Sequence, residues 1–150
     1  MGLFSREPLS TGEVVIRWGG TVFTKEDIVS GKANLETIAV LDENLYLADP
    51  VNTSLTDEYA LNHSCDSNLW LQDAITLVTR FPIAAGEELT ADYALWLYEQ
   101  NYTLDPCHCG SPRCRGKLTD TDWQIPELQA RYAGHFSPFL NRLIKNLRSA

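Results

Sequence analysis

The sequence lacks any apolar run long enough to cross a membrane and any recognisable targeting segment. A transmembrane helix needs about 20 consecutive apolar residues, and polar or charged residues interrupt every apolar run of this chain well before that length. The opening residues, MGLFSREPLS, have no basic region followed by an apolar one, as a signal peptide requires. We therefore expect a cytoplasmic protein without membrane contacts.

Basic residues are also scarce. The chain has 12 Lys and Arg residues against 20 Asp and Glu residues, which gives a formal net charge of −8. Such a surface repels nucleic-acid phosphates and attracts basic partners, although many soluble proteins are acidic only for solubility. The charge therefore disfavours direct nucleic-acid binding and does not by itself identify a partner.

No internal repeat, low-complexity tract or obvious linker divides the 150 residues, which favours a single domain. Turn residues bound several short stretches that predict strands: EVVIRWGG, ETIAVL, NLYLA, NLWLQ, AITLVTRF and GEEL. The alternation in EVVIRWGG places Val14, Ile16 and Trp18 on one face. ETIAVL and NLYLA flank the turn DEN and predict a hairpin, and NLWLQ and AITLVTRF predict a second strand pair.

Short helices are predicted between the strands and longer ones near the end. TKEDIVSGK has Thr24 as an N-cap and Gly31 as its end, and ALWLYEQ predicts another short helix. In residues 121–150, Pro126 and Pro138 suit the first turns of two further helices. The pattern as a whole predicts a mainly β fold with short helices and a helical C-terminal tail.

The last predicted helix begins after Ser137 and carries one apolar stripe. The stripe consists of Phe139, Leu140, Leu143, Ile144 and Leu147. We expect it to pack on the body of the protein. A contact between two copies of the chain is the alternative, so a monomer and a homodimer both stay open.

The chain has four cysteines, three of them within eight residues. They are Cys65, Cys107, Cys109 and Cys114. In a chain without an export signal, such a cluster indicates a metal site or catalysis before it indicates disulfides. Zinc takes four tetrahedral ligands, and thiolates bind it at about 2.3 Å. We predict one structural zinc ion held by all four cysteines, with no open coordination position for chemistry.

Other readings of the cysteine cluster stay open. His63 and His108 are rival zinc ligands, although His108 would have to reach the ion from between two ligating neighbours. Reduced structural thiols and a disulfide pair are the remaining alternatives. If the zinc site exists, Cys65 ties the middle of the chain to its C-terminal region.

Three stretches together carry a resemblance to a known family. They are LNHSCDSN at 61–68, GEELTADY at 86–93 and CHCGSPRCRG at 107–116. In this order and spacing they resemble SET-domain protein-lysine N-methyltransferases with a post-SET zinc motif. The resemblance covers residues 2–118, and the tail DW…ELQARYAGHFSPFL resembles the C-terminal extension of small bacterial SET proteins.

The resemblance implies a mainly β fold, the β-clip SET fold, in which the C-terminal segment threads a loop to form a pseudoknot. It implies a SET domain over residues 1–104, a post-SET zinc segment over 105–120, and a helical C-terminal extension over 121–150 packed on the same unit. It also implies methylation of a lysine in a protein substrate, with S-adenosylmethionine as the methyl donor. The donor and the lysine are expected to enter from opposite faces and to meet in a narrow channel.

The resemblance also implies the site residues. Tyr93 and, by a looser correspondence, Tyr46 resemble the catalytic tyrosines of the lysine channel. The residues that resemble the donor site are Gly2, Leu3, Phe4, Asn62, His63, Tyr93 and Leu118. The four cysteines resemble the post-SET zinc ligands, with Cys65 as the fourth. The acidic surface favours a substrate whose lysine lies in a basic segment.

Each of these residues also has a structural interpretation. Asn62 and His63 can be a hydrogen-bonded core pair, and Tyr93 and Tyr46 can be strand aromatics. Trp18, Trp70 and Trp96 are assigned to the core. Tyr102 can contact substrate or cofactor, and Asp92 and the pair Glu87-Glu88 are given structural roles.

Two departures from the family pattern keep other functions open. Of the Gly-x-Gly turn that contacts the donor in the family, only Gly2 is present, and the arginine common before the Asn-His pair is absent, with Tyr59 and Ala60 nearby. The alternative to a methyltransferase is a catalytically weak or inactive SET-like module that binds a protein partner. A zinc-stabilised structural protein, dimeric through its tail, is the third possibility.

Overall fold

The computed structural model describes residues 1–150, and short strands make up most of its regular structure. The eleven strands are β1 (Leu3–Phe4), β2 (Val14–Arg17), β3 (Thr21–Thr24), β4 (Ala39–Asp42), β5 (Leu45–Ala48), β6 (Asn62–His63), β7 (Leu69–Leu71), β8 (Thr76–Thr79), β9 (Glu88–Ala91), β10 (Thr103–Leu104) and β11 (Leu118–Thr119). The predicted mainly β fold is confirmed.

The helices are few, and most are short. The α-helices are α1 (Lys25–Val29), α2 (Pro126–Arg131) and α3 (Pro138–Ser149). Single turns of 3-10 helix cover Leu35–Thr37, Asp57–Ala60, Tyr93–Leu95 and Asp122–Gln124. No helix combines the length and the apolar character that a membrane span requires.

The largest sheet brings two of the sequence motifs side by side. Its order is β1-β9-β7-β8-β2, with β6 also paired to β9. β6 and β7 run parallel to β9, and Asn62 lies opposite Thr90 while His63 lies opposite Ala91. The LNHSC stretch and the GEELTADY stretch are therefore fixed against each other by backbone hydrogen bonds. The second sheet has the order β3-β5-β4, and β10 pairs with β11 on either side of the cysteine loop.

Most local predictions are confirmed. β4 and β5 form the predicted hairpin, and β7 and β8 form the predicted pair. α1 begins after Thr24, whose hydroxyl accepts from the Asp27 N–H while the Asp27 carboxylate accepts from the Thr24 N–H. Gly31 follows α1 with a φ of 76°, in the left-handed region that glycine enters without a steric penalty.

Two local predictions are wrong. A register shift between Val14 and Ile16 turns Val14 away from the core, so that its side chain is 50% exposed. The stretch ALWLYEQ is not a continuous helix, because the single 3-10 turn ends at Leu95. The left-handed backbone of Glu99 and Asn101, with φ angles of 48° and 55°, marks the loop that follows.

The C-terminal helices share one hydrophobic core with the sheets. Phe136, Leu140 and Ile144 belong to the same cluster of 27 buried residues as the central strands. The apolar stripe of α3 therefore packs on the body, with Leu147 alone left 54% exposed. The backbone also joins the two parts, since the Ser137 N–H donates to the Leu95 carbonyl at 2.8 Å.

The tail also lies against the end of the LNHSC stretch. The Arg131 guanidinium donates to the Cys65 carbonyl at 2.6 Å. The His135 ring stacks on Trp70 with ring centroids 3.6 Å apart and an interplanar angle of 2°. These contacts join the tail to Cys65 and to strand β7, which follows it.

A buried charge network ties the tail and the cysteine loop to the GEELTADY motif. Arg115 donates two hydrogen bonds to the Asp92 carboxylate, at 2.7 and 2.9 Å, and a third from Nε to Asp122 at 3.0 Å. The Asp92 side chain is fully buried, and those of Arg115 and Asp122 are only 14% and 11% exposed. Burial disfavours the charged guanidinium, but the hydrogen bonds and charge of Asp92 outweigh it and raise the pKa of Arg115.

We predict that Arg115→Met destabilises the fold by about 3–5 kcal/mol, because it leaves two buried carboxylates without their cation. The free energy of unfolding is measured by urea denaturation of the metal-saturated protein. Asp42→Asn, which removes the exposed partner of Arg142, is the control and should leave that free energy unchanged. Equal unfolding midpoints for Arg115→Met and the wild type would contradict a structural role for the network.

Candidate active site and cysteine cluster

Two cavities meet at one pair of tyrosines. The first, which we name the tryptophan cavity, has a volume of about 340 Å³, and the second, the asparagine cavity, of about 360 Å³. The walls of the tryptophan cavity include Trp18, Ile38, Leu61, Tyr93, Trp96 and Tyr102 with the acids Glu36, Asp49 and Glu58. The asparagine cavity is lined by Asn62, His63, Glu88, Thr90, Tyr93, Tyr102, Leu104, Cys107, His108 and Cys109. Tyr93 and Tyr102 are common to both.

Tyr93 is held in place by the LNHSC stretch. Its hydroxyl donates to the Leu61 carbonyl at 2.6 Å, and its backbone N–H donates to His63 Nδ1 at 3.2 Å. Burial raises the pKa of Tyr93 to about 12. The phenol therefore stays protonated at neutral pH, so it can orient a neighbouring group by hydrogen bonding but cannot act as a base.

Aromatic rings surround the Tyr93 side of the tryptophan cavity. The Trp96 ring centroid lies 5.4 Å from that of Tyr93, and Trp18 meets Trp96 edge to face at 4.9 Å. Tyr102 lies 6.4 Å from Tyr93 on the other side. Trp18 and Trp96, assigned to the core from the sequence, pack on the core and also form the cavity wall. The result is an aromatic slot beside a phenol.

The Asn62 end of the asparagine cavity is built by the first residues and β9. The Asn62 side-chain amide donates to the Met1 carbonyl at 2.9 Å and to Glu88 Oε1 at 2.7 Å. A Cβ atom on Gly2 would lie 2.5 Å from Glu88 Oε1. Glycine at position 2 therefore allows the chain to pass this close to the carboxylate. Leu3 and Phe4 pair with β9 and lie outside the cavity wall.

Two predicted site residues lie elsewhere. Tyr46 is 1% exposed in β5, the central strand of its sheet, and lines neither cavity, and its hydroxyl lacks a hydrogen-bond partner. Leu118 is fully buried in the core, and Leu104, its partner in the β10–β11 pair, lines the asparagine cavity instead. The placement of Tyr46 and Leu118 thus favours the core interpretation for both residues.

The cavity-lining residues that the sequence did not identify lie mainly on β9. Glu88 and Thr90 are half-buried and line the asparagine cavity, whereas Leu89 and Ala91 between and after them are buried in the core. The alternation of side chains along a strand would have placed Glu88 and Thr90 on one face. That signal was available in GEELTADY, but the sequence does not show which face meets a cavity.

The cysteine cluster adjoins the same cavity. Potential ligand atoms of His63, Cys65, Cys107 and Cys109 lie within 4.8 Å of one another. The Cys65 and Cys107 sulfurs are 3.9 Å apart, close to the separation of about 3.8 Å that tetrahedral geometry gives for two thiolates at 2.3 Å from zinc. Cys114, a predicted ligand, is not in this group. Its sulfur lies 3.4 Å from the Cys107 carbonyl oxygen.

Hydrogen bonds indicate the tautomer of His63 and its role in the cysteine cluster. Its Nδ1 accepts from the Tyr93 N–H, so the proton of the neutral ring is on Nε2. Nε2 lies 3.3 Å from the Cys65 sulfur, and burial lowers the pKa of His63, which favours the neutral ring. In this tautomer His63 donates to the Cys65 sulfur and cannot offer Nε2 to a metal.

Backbone N–H groups point at three of the sulfurs. Cys109 accepts from the Cys65 N–H at 3.5 Å, Cys65 from the Arg115 N–H at 3.4 Å, and Cys114 from the Gly116 N–H at 3.4 Å. Burial raises the pKa of Cys65 and of Cys107. For Cys109, burial is outweighed by hydrogen bonds from Cys65 and Ser111, which lower its pKa to about 7. The cluster therefore suits a thiophilic cation that stabilises thiolates.

Comparisons with known proteins agree with this architecture. A family model described as the SET domain matches residues 1–94. Histone-lysine N-methyltransferase ATX2 of Arabidopsis thaliana is 26% identical over 135 residues, covering 81% of this chain and 12% of the relative. Histone-lysine N-methyltransferase SETD1 of Drosophila melanogaster is 28% identical over 129 residues, covering 78% and 8%. The chain thus spans about a tenth of the length of these curated relatives.

Solved structures show the same fold. The crystal structure of KRYPTONITE in complex with mCHG DNA and SAH matches with a TM-score of 0.58 and 27% identity, over 77% of this chain and 26% of that one. The methyltransferase domain of human histone-lysine N-methyltransferase SETMAR matches with a TM-score of 0.62 and 20% identity, over 79% and 53%. Together with the family match over residues 1–94, these likenesses establish that the chain belongs to the SET domain family.

Proposed function

We propose that this protein is an S-adenosylmethionine-dependent protein-lysine N-methyltransferase. The observation that carries the proposal is the meeting of two cavities at Tyr93 and Tyr102. One cavity ends in polar acceptors and the other in an aromatic slot, so two different ligands can approach the same phenol from two sides. The curated relatives are themselves histone-lysine methyltransferases, which agrees with this activity.

The asparagine cavity fits the methyl donor. Tyr102 and Leu104 offer flat and apolar surface that suits an adenine ring, and Asn62 and Glu88 offer acceptors that suit an amino-acid group. The close passage of Gly2 beside Glu88 shapes the polar end. S-adenosylmethionine supplies a methyl group activated by a sulfonium cation.

The tryptophan cavity fits a lysine side chain. A lysine amine has a pKa of about 10.4 in water and is protonated at neutral pH, so it is not nucleophilic. Desolvation against the wall that Trp18 and Trp96 form lowers that pKa and favours the neutral amine. The Tyr93 phenol is anchored on the Leu61 carbonyl and orients the amine lone pair. The rate of methyl transfer then comes from the alignment of the amine with the methyl group and from the exclusion of water.

We predict that Tyr93→Phe reduces methyl transfer about 100-fold, because the amine loses the group that aligns it. Binding of S-adenosylhomocysteine should stay within twofold of the wild type, since the ring remains. Transfer is measured with tritiated donor on a panel of lysine peptides, and binding by titration calorimetry. Donor binding without transfer to any peptide in the wild-type protein would favour the binding-module alternative.

Acidic residues at the tryptophan cavity favour a basic substrate segment. Glu36, Asp49 and Glu58 line the cavity, and no Lys or Arg does. The Asp49 carboxylate accepts a hydrogen bond from the Tyr59 hydroxyl, whereas Glu36 and Glu58 have no side-chain partner in the protein and are free to pair with a ligand. We therefore infer that the target lysine is flanked by cationic residues, as the net charge of −8 also favours.

The double variant Glu36→Gln/Glu58→Gln is expected to raise the KM for a peptide with arginines beside the lysine by about two- to tenfold. This is the change in affinity that the loss of two surface ion pairs produces. The KM for a peptide with alanines at those positions should not change. Steady-state kinetics with both peptides measures the difference. Glu26→Gln/Glu43→Gln, with the same change in net charge outside the cavity, is the matched control. An equal rise for both peptides would exclude charge recognition at this rim.

We further propose that the cysteine cluster holds one structural zinc ion, bound by Cys65, Cys107, Cys109 and Cys114. The sulfur separation and the N–H···S hydrogen bonds support thiolate ligation. The tautomer of His63 supports Cys114 as the fourth ligand, because the Nε2 proton is directed at the Cys65 sulfur. Zinc here would fix the cavity wall and would not touch the reacting groups.

Metal analysis separates the two candidate fourth ligands. Cys114→Ser should lose zinc on dialysis against a chelator, whereas His63→Gln should retain it, because the Gln amide can still donate to the Cys65 sulfur. Zinc content is measured colorimetrically, and the sulfur-to-metal absorption of the cobalt form reports the number of thiolates. Zinc retention by Cys114→Ser together with its loss by His63→Gln would make His63 the ligand.

A further inference from the structure

We propose that Glu88 binds the α-ammonium group of the methyl donor and so fixes which way the donor's amino-acid end points. The inference rests on the proposed function and extends it to a residue that the sequence interpretation gave only a structural role. Glu88 lies on β9 opposite Phe4, with Asn62 beside it across the cavity wall. It is the only carboxylate that lines the asparagine cavity.

The hydrogen bonds around Glu88 leave a set of free acceptors. Both N–H groups of the Asn62 amide are used, one on the Met1 carbonyl and one on Glu88 Oε1. Asn62 Oδ1 and Glu88 Oε2 accept no hydrogen bond from the protein. Both residues line the cavity, and Asn62 has no N–H left to offer a ligand.

The charge of Glu88 is also unpaired. None of the ion pairs in the protein includes it. Its neighbour Glu87, by contrast, accepts from the Ala84 N–H at 3.0 Å and from the Asn68 amide at 3.4 Å, and it lines neither cavity. A half-buried carboxylate without a cation is a strong site for a cationic ligand.

The charged groups of the donor's amino-acid portion suit the end of the asparagine cavity that Asn62 and Glu88 form. Its amino-acid portion carries one ammonium and one carboxylate, and the ammonium has three N–H donors and no acceptor. A cavity end with a carboxylate and an amide oxygen attracts the ammonium and repels the donor's own carboxylate. Glu88 therefore selects one orientation of the amino-acid group, while its other oxygen holds the Asn62 amide in place.

The rival explanation is that Glu88 acts only through Asn62. Glu88→Gln separates the two roles, because the Gln amide oxygen can still accept from Asn62 while the negative charge is lost. The probes are S-adenosylhomocysteine and its deaminated analogue, in which hydrogen replaces the α-amino group. Each is titrated calorimetrically into the metal-loaded full chain.

Glu88→Gln should weaken S-adenosylhomocysteine about 10- to 100-fold, the loss expected for a hydrogen bond to a charged group. Its affinity for the deaminated analogue should stay within twofold of the wild type. Glu87→Gln, which removes the same charge outside the cavity, should leave both affinities unchanged. Thermal unfolding of the variants confirms that they are folded.

Equal weakening of both probes by Glu88→Gln would overturn the proposal and leave Glu88 as a support for Asn62. Unchanged binding of both probes would remove Glu88 from the donor site altogether. Failure of the wild-type protein to bind S-adenosylhomocysteine would overturn the donor site itself, and the inference with it. Different experimental results would therefore overturn the proposed function and the role of Glu88.

Discussion

The contact between Arg115 and Asp92 is the constraint on which the site depends. Asp92 directly precedes Tyr93, and Arg115 directly follows Cys114, so their paired hydrogen bonds join the catalytic candidate to the cysteine loop. Asp122 extends the same network to the C-terminal tail. A buried ion pair of this kind contributes little net stability compared with an apolar contact, but it tolerates the loss of neither partner. The ion pair therefore serves mainly to hold Tyr93 and the cysteine loop in fixed positions.

The parallel pairing of β6 and β7 with β9 is the second constraint on the positions of the site residues. It sets Asn62 and His63 beside Thr90 and Ala91, and the chain then turns at Asp92 so that Tyr93 reaches back to the Leu61 carbonyl. Short strands in register leave little freedom for these side chains. A phenol with a pKa of about 12 in this setting is a rigid hydrogen-bonding group, which is what alignment of a neutral amine requires.

The sequence alone predicted the strand pairs, the capped helices and the motif residues that meet in space. Helix caps and helix starts are local, so Thr24, Ser137 and Pro138 determine them through short-range geometry. Non-local packing accounts for the differences. The bulge at β2 turns Val14 outward, and Tyr46, in the central strand of its sheet, is 1% exposed and lines neither cavity.

The same limit explains why the sequence could not place Glu88 at a cavity or show that Tyr102, named as a residue that can contact substrate or cofactor, joins two cavities. Strand alternation places Glu88 and Thr90 on one face, yet only the tertiary fold shows that this face meets a cavity. Tyr102 joins the two cavities because the β10–β11 pair carries it back to Tyr93. Such contacts depend on residues far apart in the chain, and periodicity carries no information about them.

The cysteine cluster has a role in the site although it stays away from the chemistry. Cys107 and Cys109 form part of the wall of the asparagine cavity, and the Cys65 sulfur accepts from His63, which in turn accepts from the Tyr93 backbone. A cation that orders the four thiolates would therefore order the donor cavity and the phenol together. Metal binding and donor binding then stabilise one conformation, and each must strengthen the other by the same factor. This coupling accounts for a single stretch, LNHSC, that serves the ligand cavity with Asn62 and the cluster with Cys65.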